Sequence, residues 1–282
     1  MADRGEVKIR QGSLDKLVEI YKQTYLNIVK EINDATAAGK IQRFRVMARI
    51  NKELEVLGID VDKWVQQQIP QYYLSGANDA LQDLREMGVD VSKLGMASIN
   101  KEAISVLTDD VSMSFADGIT SISRNARRVI DDALRQQINS ILAMGKLEGE
   151  TRVAIAASVK ELLTKEGLGV LTDRGGKTWS FDTYANMLVR TKAVEARNQG
   201  LANMMLQNGY DLVQVSNHNS DHPACADWEG EVLSLTGNTP DYATLQEAID
   251  AGLFHPNCQH AINVLVPELA AKTEAYDNPF NE

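Results

Sequence analysis

The chain has 282 residues, of which 44% are hydrophobic and 24% are charged, and its formal net charge is −10. This composition is ordinary for a globular protein, and the length allows a sizeable core or two domains. The opening segment lacks an apolar core and no apolar run reaches 18 residues, which argues against secretion and membrane insertion. We therefore expect a soluble, cytoplasmic protein that has no membrane partner.

Charge is unevenly distributed along the chain. Residues 1–57 carry 11 Lys/Arg and 8 Asp/Glu, whereas residues 58–282 carry 18 and 31. The acidic body should repel nucleic acid at long range. A basic run within residues 40–52 is the only candidate for contact with nucleic acid, although such runs are more often solvated helix faces. It consists of Lys40, Arg43, Arg45, Arg49 and Lys52.

The first part of the chain has the hydrophobic period of α-helices. Apolar residues three or four apart predict a helix that begins at Ser13 and ends before Gly39. A second helix is predicted from Ile41 to Leu57, with Gly58 as its C-terminal stop. A third should begin near Asp62 and be kinked at Pro70, which lacks a backbone donor.

Helical character continues towards the middle of the chain. Tyr72 and Tyr73 of the third helix are interpreted as core or contact aromatics. The segment Ile99–Met144 predicts one long amphipathic helix or a pair of helices, with Asp117-Gly118 as the one plausible interruption. A further helix is predicted from Thr151 to Lys165. Residues 1–167 are accordingly expected to form a helical docking domain.

The composition changes after residue 167, where glycines and short alternating segments appear. The predicted elements are a strand at 177–181, a helix at 183–208 capped by Asp182, and strands at 211–216 and 261–266. These elements predict an α+β fold class, with a mostly helical N-terminal half followed by a small α+β domain at residues 168–267. The acidic residues 268–282 are expected to form a tail.

All four histidines and both cysteines lie between His218 and His260. Short gaps within His222-x2-Cys225 and His255-x2-Cys258-x-His260 are typical of two loops that present ligands to one tetrahedral zinc ion. The candidate metal ligands are therefore His222, Cys225, His255, Cys258 and His260. Five donors are available for four places, so one of them is spare unless His218 takes that part.

Two interpretations without a metal remain open for the same window. The histidines can donate ring N–H groups to backbone carbonyls while the cysteines pack as small apolar residues. A disulfide between Cys225 and Cys258 is a further alternative, although the cytosol keeps thiols reduced.

Enzymatic interpretations rest on fewer residues. Histidines beside Asp221, Asp227 and Asn257 could activate a water molecule in a metal-dependent hydrolase or nuclease. ADP-ribosyl transfer is suggested only by Arg190 and the Glu229-x-Glu231 pair, and two acids flanking a glycine are common on surfaces. The sequence matches neither a complete phosphate-binding loop nor a serine nucleophile elbow. We therefore expect a protein that is not an enzyme.

Three segments in one order resemble the phage minor capsid protein 2 family, whose relatives are the Mu F-like head morphogenesis proteins. They read TDRGGKTWSFDTYANMLVRT, GYDLVQVSNHNSDHPACADWEGEVLSLTG and YATLQEAIDAGLFHPNCQH. The resemblance covers about residues 145–267, and the N-terminal half agrees only in being helical. The Mu F-like relatives carry paired cysteines and His-Pro-x-Cys-x-Cys at the His/Cys positions of this chain. Because histidine and cysteine are both zinc donors, the resemblance is compatible with a structural zinc ion.

This resemblance implies a structural protein of the virion, made in the host cytoplasm and assembled inside the phage head. It implies a few copies per particle near the portal vertex, in contact with the portal or the major capsid protein. The implied roles are head assembly, DNA retention or DNA ejection. Contact with packaged DNA would involve the basic run at 40–52.

Overall fold

A computed structural model describes residues 11–37, 42–91, 98–143, 170–172, 178–220, 222–256 and 258–267. Long helices dominate the first part, and a small antiparallel sheet follows, so the predicted α+β class is confirmed. The helices are α1 (Gln11–Ala37), α2 (Arg43–Glu86), α3 (Ser98–Ala143), α4 (Phe181–Gln207), α5 (Pro223–Ala226) and α6 (Leu245–Asp250). The strands are β1 (Val170–Thr172), β2 (Thr178–Ser180), β3 (Leu212–Val215), β4 (Val232–Ser234) and β5 (Ile262–Val264).

Helix α2 is a single helix of 44 residues, so the predicted stop at Gly58 and the new start near Asp62 are wrong. A glycine ends a helix by adopting a positive φ. Gly58 is not among the positive-φ glycines, and a Cβ at that position would make only an ordinary contact with Ile119. The helix also continues across Pro70.

Helix α3 is also one continuous helix, which passes through Asp117-Gly118 without a break. The long-helix prediction for this segment is therefore confirmed. The helix predicted from Thr151 to Lys165 lies outside the described residues. None of the described helices is long and apolar enough to cross a membrane.

The described residues divide into two compact units built from separate stretches of chain. One unit combines residues within 11–65 and 110–186, and the other combines residues within 66–109 and 187–267. The division by sequence into 1–167, 168–267 and a tail at 268–282 remains a prediction.

Within the first unit, buried faces of α1, the first half of α2 and the second half of α3 form the core. The ring of Phe115 lies 6.3 Å from the ring centroids of both Tyr21 and Trp64. Aromatic contacts of this kind add about 0.5–1.5 kcal/mol to the burial of the rings. Strands β1 and β2 of the same unit pair as an antiparallel hairpin.

Within the second unit, the second half of α2 and α4 pack with the sheet around one cluster of buried apolar residues. Two glycines allow the helix backbones to touch. A Cβ at Gly76 would lie 2.7 Å from the carbonyl carbon of Arg197, and a Cβ at Gly200 would lie 2.9 Å from that of Tyr73. Any side chain at either position would collide with the backbone of the opposite helix.

Tyr72 and Tyr73 are buried core residues of α2, as one of the two interpretations predicted. The Tyr73 hydroxyl donates to Oδ1 of Asn100 at 2.7 Å and accepts from Nδ2 of Asn203 at 2.7 Å. It therefore joins α2, α3 and α4. Because both rings are buried, the alternative interpretation of these tyrosines as contact aromatics is wrong.

The three-stranded sheet has the order β4-β3-β5 and is antiparallel throughout. Val213 in the central strand lies opposite Leu233 on one side and Val264 on the other. The predicted strands at 177–181, 211–216 and 261–266 are confirmed as β2, β3 and β5, whereas β1 and β4 were not predicted. Helix α4 begins at Phe181, and the amide of Thr183 donates to Oγ of Ser180 at 3.3 Å. Ser180 therefore takes the capping position predicted for Asp182.

Candidate metal centre

The pairing of β3 with β5 brings the two ends of the His/Cys window together. The loop after β3 leads into α5, which carries Cys225, and the loop after α6 leads through Cys258 and His260 into β5. At the junction, the amide of Ser216 donates to the carbonyl of Ala261 at 2.9 Å. The Ala261 amide donates in return to Oγ of Ser216 at 3.0 Å. Cys225 and Cys258, which are 33 positions apart in the sequence, therefore lie close together beside one sheet.

Three of the predicted ligands form a buried group. The Sγ atoms of Cys225 and Cys258 lie 3.7 Å apart, and Sγ of Cys258 lies 3.2 Å from Nδ1 of His260. A tetrahedral zinc ion with Zn–S bonds of about 2.3 Å holds two sulfur ligands about 3.8 Å apart. The sulfur atoms therefore already have the separation that zinc requires.

A second group shares Cys225 with the first and adds two histidines. The ligand atoms of His222, Cys225 and His255 all lie within 4.8 Å of one another. The rings of His222 and His255 stack with their centroids 3.8 Å apart and an interplanar angle of 23°. The structure therefore gathers all five predicted residues into two overlapping groups, and their binding of a metal remains a prediction.

His218 belongs to neither group of donors. Its Nε2 lies 2.9 Å from Oγ of Ser216, and its ring meets the edge of the His260 ring with centroids 5.0 Å apart. His218 therefore packs beside the candidate ligands without belonging to either group.

Glu229 contacts His260 of the cluster, whereas the sequence indicated it only as part of an acid pair. Its Oε1 accepts from the backbone amides of His218 at 3.1 Å and Ser220 at 2.9 Å, and lies 2.6 Å from Nε2 of His260. Burial alone would raise the pKa of this carboxyl, but the hydrogen bonds from His260, Ser220 and His218 outweigh burial and lower its pKa. Glu229 is therefore a carboxylate beside the cluster. One glutamate does not stand out among 39 acidic residues, so the sequence offers little signal for it.

Both cysteines are free and buried. Their 3.7 Å separation exceeds the bond length of about 2.05 Å in a disulfide, so the structure contains two separate sulfur groups. Burial, and then the neighbouring Cys258, raise the pKa of Cys225 to about 12. Without a cation Cys225 is therefore a neutral thiol, and binding of a metal would displace its proton.

Among the described residues proposed for enzymatic roles, Glu229 lies beside the cluster. Asp221 and Asn257 lie outside the described residues, and Asp227 is exposed. Arg190 and Glu231 are also exposed. Arg190 is therefore a solvent-facing side chain of α4.

The buried arginine of α4 is Arg197, which the sequence reasoning missed. Its Nη1 donates to the carbonyl of Ile262 at 3.1 Å, and its Nε and Nη2 contact Oδ2 of Asp79 at 3.2 and 3.1 Å. The adjacent Asn198 accepts the amide of Ile262 at 3.2 Å. Helices α2 and α4 thereby hold the start of β5, two residues after His260. An arginine whose partner is 118 positions away leaves no local pattern in the sequence.

The basic run at 40–52 is partly neutralised. Arg43 and Arg49 form ion pairs with Asp131 and Glu31 at 2.7 and 2.9 Å. Arg45 and Lys52 are exposed, and Lys40 lies outside the described residues.

The family model described as phage minor capsid protein 2 matches residues 11–279. The match thus extends from the His/Cys window through helices α1 to α3, well beyond the residues 145–267 that carry the resemblance. No curated protein and no solved structure matches the chain.

Proposed function

The chain belongs to the phage minor capsid protein 2 family, and from this we propose a structural protein of the virion whose carboxyl-terminal fold is cross-linked by zinc. Family membership supports the structural role in the capsid and the place in the virion. The proposal adds a position inside the head near the portal vertex, with the portal or major capsid protein as partner. It also adds a role in head assembly, DNA retention or DNA ejection, and synthesis in the host cytoplasm.

The buried group of Cys225, Cys258 and His260 is the observation that supports the zinc cross-link. Two sulfur donors and one imidazole nitrogen suit zinc chemically, and the sulfur atoms have tetrahedral spacing. When bound, the ion would supply bonds between α5 and the segment that enters β5. The three strands contain only three or four residues each. Such a small sheet gains from a cross-link, because the free energy of metal binding adds to that of folding.

A surplus of donors favours a structural site over a catalytic one. A catalytic zinc ion usually has three protein ligands and keeps its fourth place for water. Here five candidate donors lie in two overlapping groups, and three of them are buried. Catalysis by a metal-dependent hydrolase or by ADP-ribosyl transfer is therefore the lesser candidate.

The proposed contact with packaged DNA would involve the basic run at 40–52. All four described cations of the run are exposed, but Arg43 and Arg49 are paired with acids, so we assign phosphate contact to Arg45 and Lys52. Two phosphate contacts give a slope of about −1.8 when the logarithm of affinity is plotted against that of salt concentration. A titration with duplex DNA that shows no association sensitive to salt would remove this contact.

Localisation within purified phage heads tests the virion role directly. Electron microscopy of particles carrying a tagged copy of the protein should place the tag at the portal vertex. A tag distributed over the whole shell would contradict the position, and absence of the protein from heads would contradict the virion role.

Metal analysis tests the cross-link. The purified protein should contain about one zinc ion per chain, and Cys258→Ala and His260→Ala should lose zinc together with melting temperature. His218→Ala is the matched control, because His218 is the window's histidine outside both donor groups. Loss of hydrolytic activity with an unchanged melting temperature would favour the enzyme instead.

A further inference from the structure

Hydrogen bonds to the rings of His222, His255 and His260 indicate which of the five candidate ligands does not bind the metal. Cys225, Cys258 and His260 account for three places, and the fourth must come from His222 or His255, which share the second group with Cys225. A neutral imidazole has one N–H and one nitrogen with a free lone pair. The partner of each ring nitrogen therefore decides whether a lone pair is available to a cation.

The ring of His260 is set by Glu229. A carboxylate can only accept, so Nε2 of His260, 2.6 Å from Oε1 of Glu229, carries the proton. The lone pair is then on Nδ1, which lies 3.2 Å from Sγ of Cys258. Histidines that bind metals usually donate their other ring N–H to a carboxylate or a backbone carbonyl. His260 therefore has the tautomer and the orientation of a ligand.

A backbone carbonyl fixes the tautomer of His255 in the same way. Its Nδ1 lies 2.9 Å from the carbonyl oxygen of Pro256, which can only accept, so Nδ1 carries the proton. The lone pair on Nε2 is then available. His255 thus also matches the tautomer of a metal ligand.

His222 has the opposite arrangement. The amide of Ala224 can only donate, and it contacts Nδ1 of His222 at 3.3 Å, which makes this imidazole the N-cap of α5. The proton of the neutral ring is therefore on Nε2, and both nitrogens are occupied. To bind a cation His222 would have to give up the cap, whereas the proton on Nδ1 of His255 leaves the lone pair of its Nε2 to a cation.

We propose that the zinc ion is bound by the thiolates of Cys225 and Cys258, Nδ1 of His260 and Nε2 of His255. His222 caps α5 and stacks on the His255 ring, and Glu229 is a positioning residue that acts through His260. The assignment rests on the zinc proposed above. His255 is grouped with Cys225 but not with Cys258 and His260, so the assignment requires its half-buried ring to turn towards those two residues.

Cobalt substitution of the full-length protein tests the assignment. Tetrahedral Co²⁺ absorbs in the visible range, its charge-transfer bands report bound thiolates, and chelator competition gives the affinity. His255→Ala should weaken the metal by about 100-fold or more, since losing a ligand costs at least as much as losing an outer partner. His222→Asn keeps a capping side chain and should leave affinity and spectrum unchanged. Glu229→Gln should weaken the metal about 10–100-fold while the thiolate bands remain.

The outcomes separate this assignment from the zinc proposal. A wild-type protein that binds neither Co²⁺ nor Zn²⁺ overturns both. One metal per wild-type chain, retained by His255→Ala and lost by His222→Asn, overturns the assignment alone. Because His222→Asn is expected to fold like the wild type, its retention or loss of metal decides the matter even if His255→Ala fails to fold. An unchanged affinity in Glu229→Gln would refute the positioning role.

Discussion

Replacement of Gly76 by alanine should destabilise the protein, although helix propensity alone predicts the opposite. Alanine is favoured over glycine by about 1 kcal/mol inside a helix. At Gly76, however, the new Cβ would lie 2.7 Å from the carbonyl carbon of Arg197 in α4. Carbon atoms pack at about 3.5–4.0 Å, so α2 and α4 would have to separate by about 1 Å.

The loss of stability expected for Gly76→Ala depends on the atoms that the new Cβ would meet. Overpacking costs about 1–3 kcal/mol, and here the obstacle is backbone that has no rotamer to change, so the upper end applies. Subtracting the gain in propensity leaves a net loss of about 2 kcal/mol. For a chain of this size about 1 kcal/mol corresponds to 2–4 °C, so the melting temperature should fall by about 4–8 °C.

Gly58→Ala is the matched control in the same helix. Its Cβ would meet only Cδ1 of Ile119, at an ordinary 3.8 Å, so the substitution should stabilise by about 0.5–1 kcal/mol. Chemical denaturation followed by circular dichroism measures both variants. In Gly76→Ala/Gly200→Ala the second change should cost less than it does alone, because the helices have already separated. The close approach of the helices would be refuted if Gly76→Ala proved as stable as Gly58→Ala.

Three further predictions concern the unit that contains the His/Cys cluster. Arg197→Met should lose about 2–3 kcal/mol, less than the 3–5 kcal/mol of a fully buried pair because the Asp79 side chain is 31% exposed. Arg190→Met, on the exposed side of the same helix, should change stability by less than about 0.5 kcal/mol in the same denaturation experiment. Burial alone would raise the pKa of Asp211, but hydrogen bonds from Ser234, Thr236 and Thr239 lower it. The contribution of Asp211 to the free energy of unfolding is therefore complete above the ordinary aspartate pKa, and it is lost as the pH falls through the lowered pKa. Asp211→Asn should therefore flatten the acid end of the stability profile, and an unchanged profile would contradict this role. Thr244→Ala removes the capping box of α6 and should cost about 1 kcal/mol by thermal melting, whereas Thr244→Ser should cost little.

The helices were predictable from apolar periodicity over many turns, whereas single glycines gave wrong predictions of where helices end. Helices α1 and α3 could be predicted from the sequence because the spacing of their apolar residues repeats over many turns. Gly58 resembled a helix stop, yet a stop depends on a positive φ that is visible only in the folded chain. Strand β4 (Val232–Ser234) does not alternate between apolar and polar residues, and its pairing with β3 is visible only in the folded chain.

The cluster was predictable from composition, but the arrangement of its members was not. Histidine and cysteine are rare in this chain, so their crowding between residues 218 and 260 was visible in the sequence. The partition of five donors into two groups depends on ring orientation, which sequence does not encode locally. Glu229 and Arg197 act through partners distant in the chain, so neither has a signature of its own.

The discontinuous make-up of the second unit has a consequence for biosynthesis. Ala77, Ala80 and Leu84 of α2 are covered by Leu201, Val213 and Val264, which the ribosome adds more than 100 residues later. Contacts so distant in sequence close slowly. On the growing polypeptide this stripe of α2 therefore stays uncovered through most of translation. We expect a host chaperone to bind this stripe during that time.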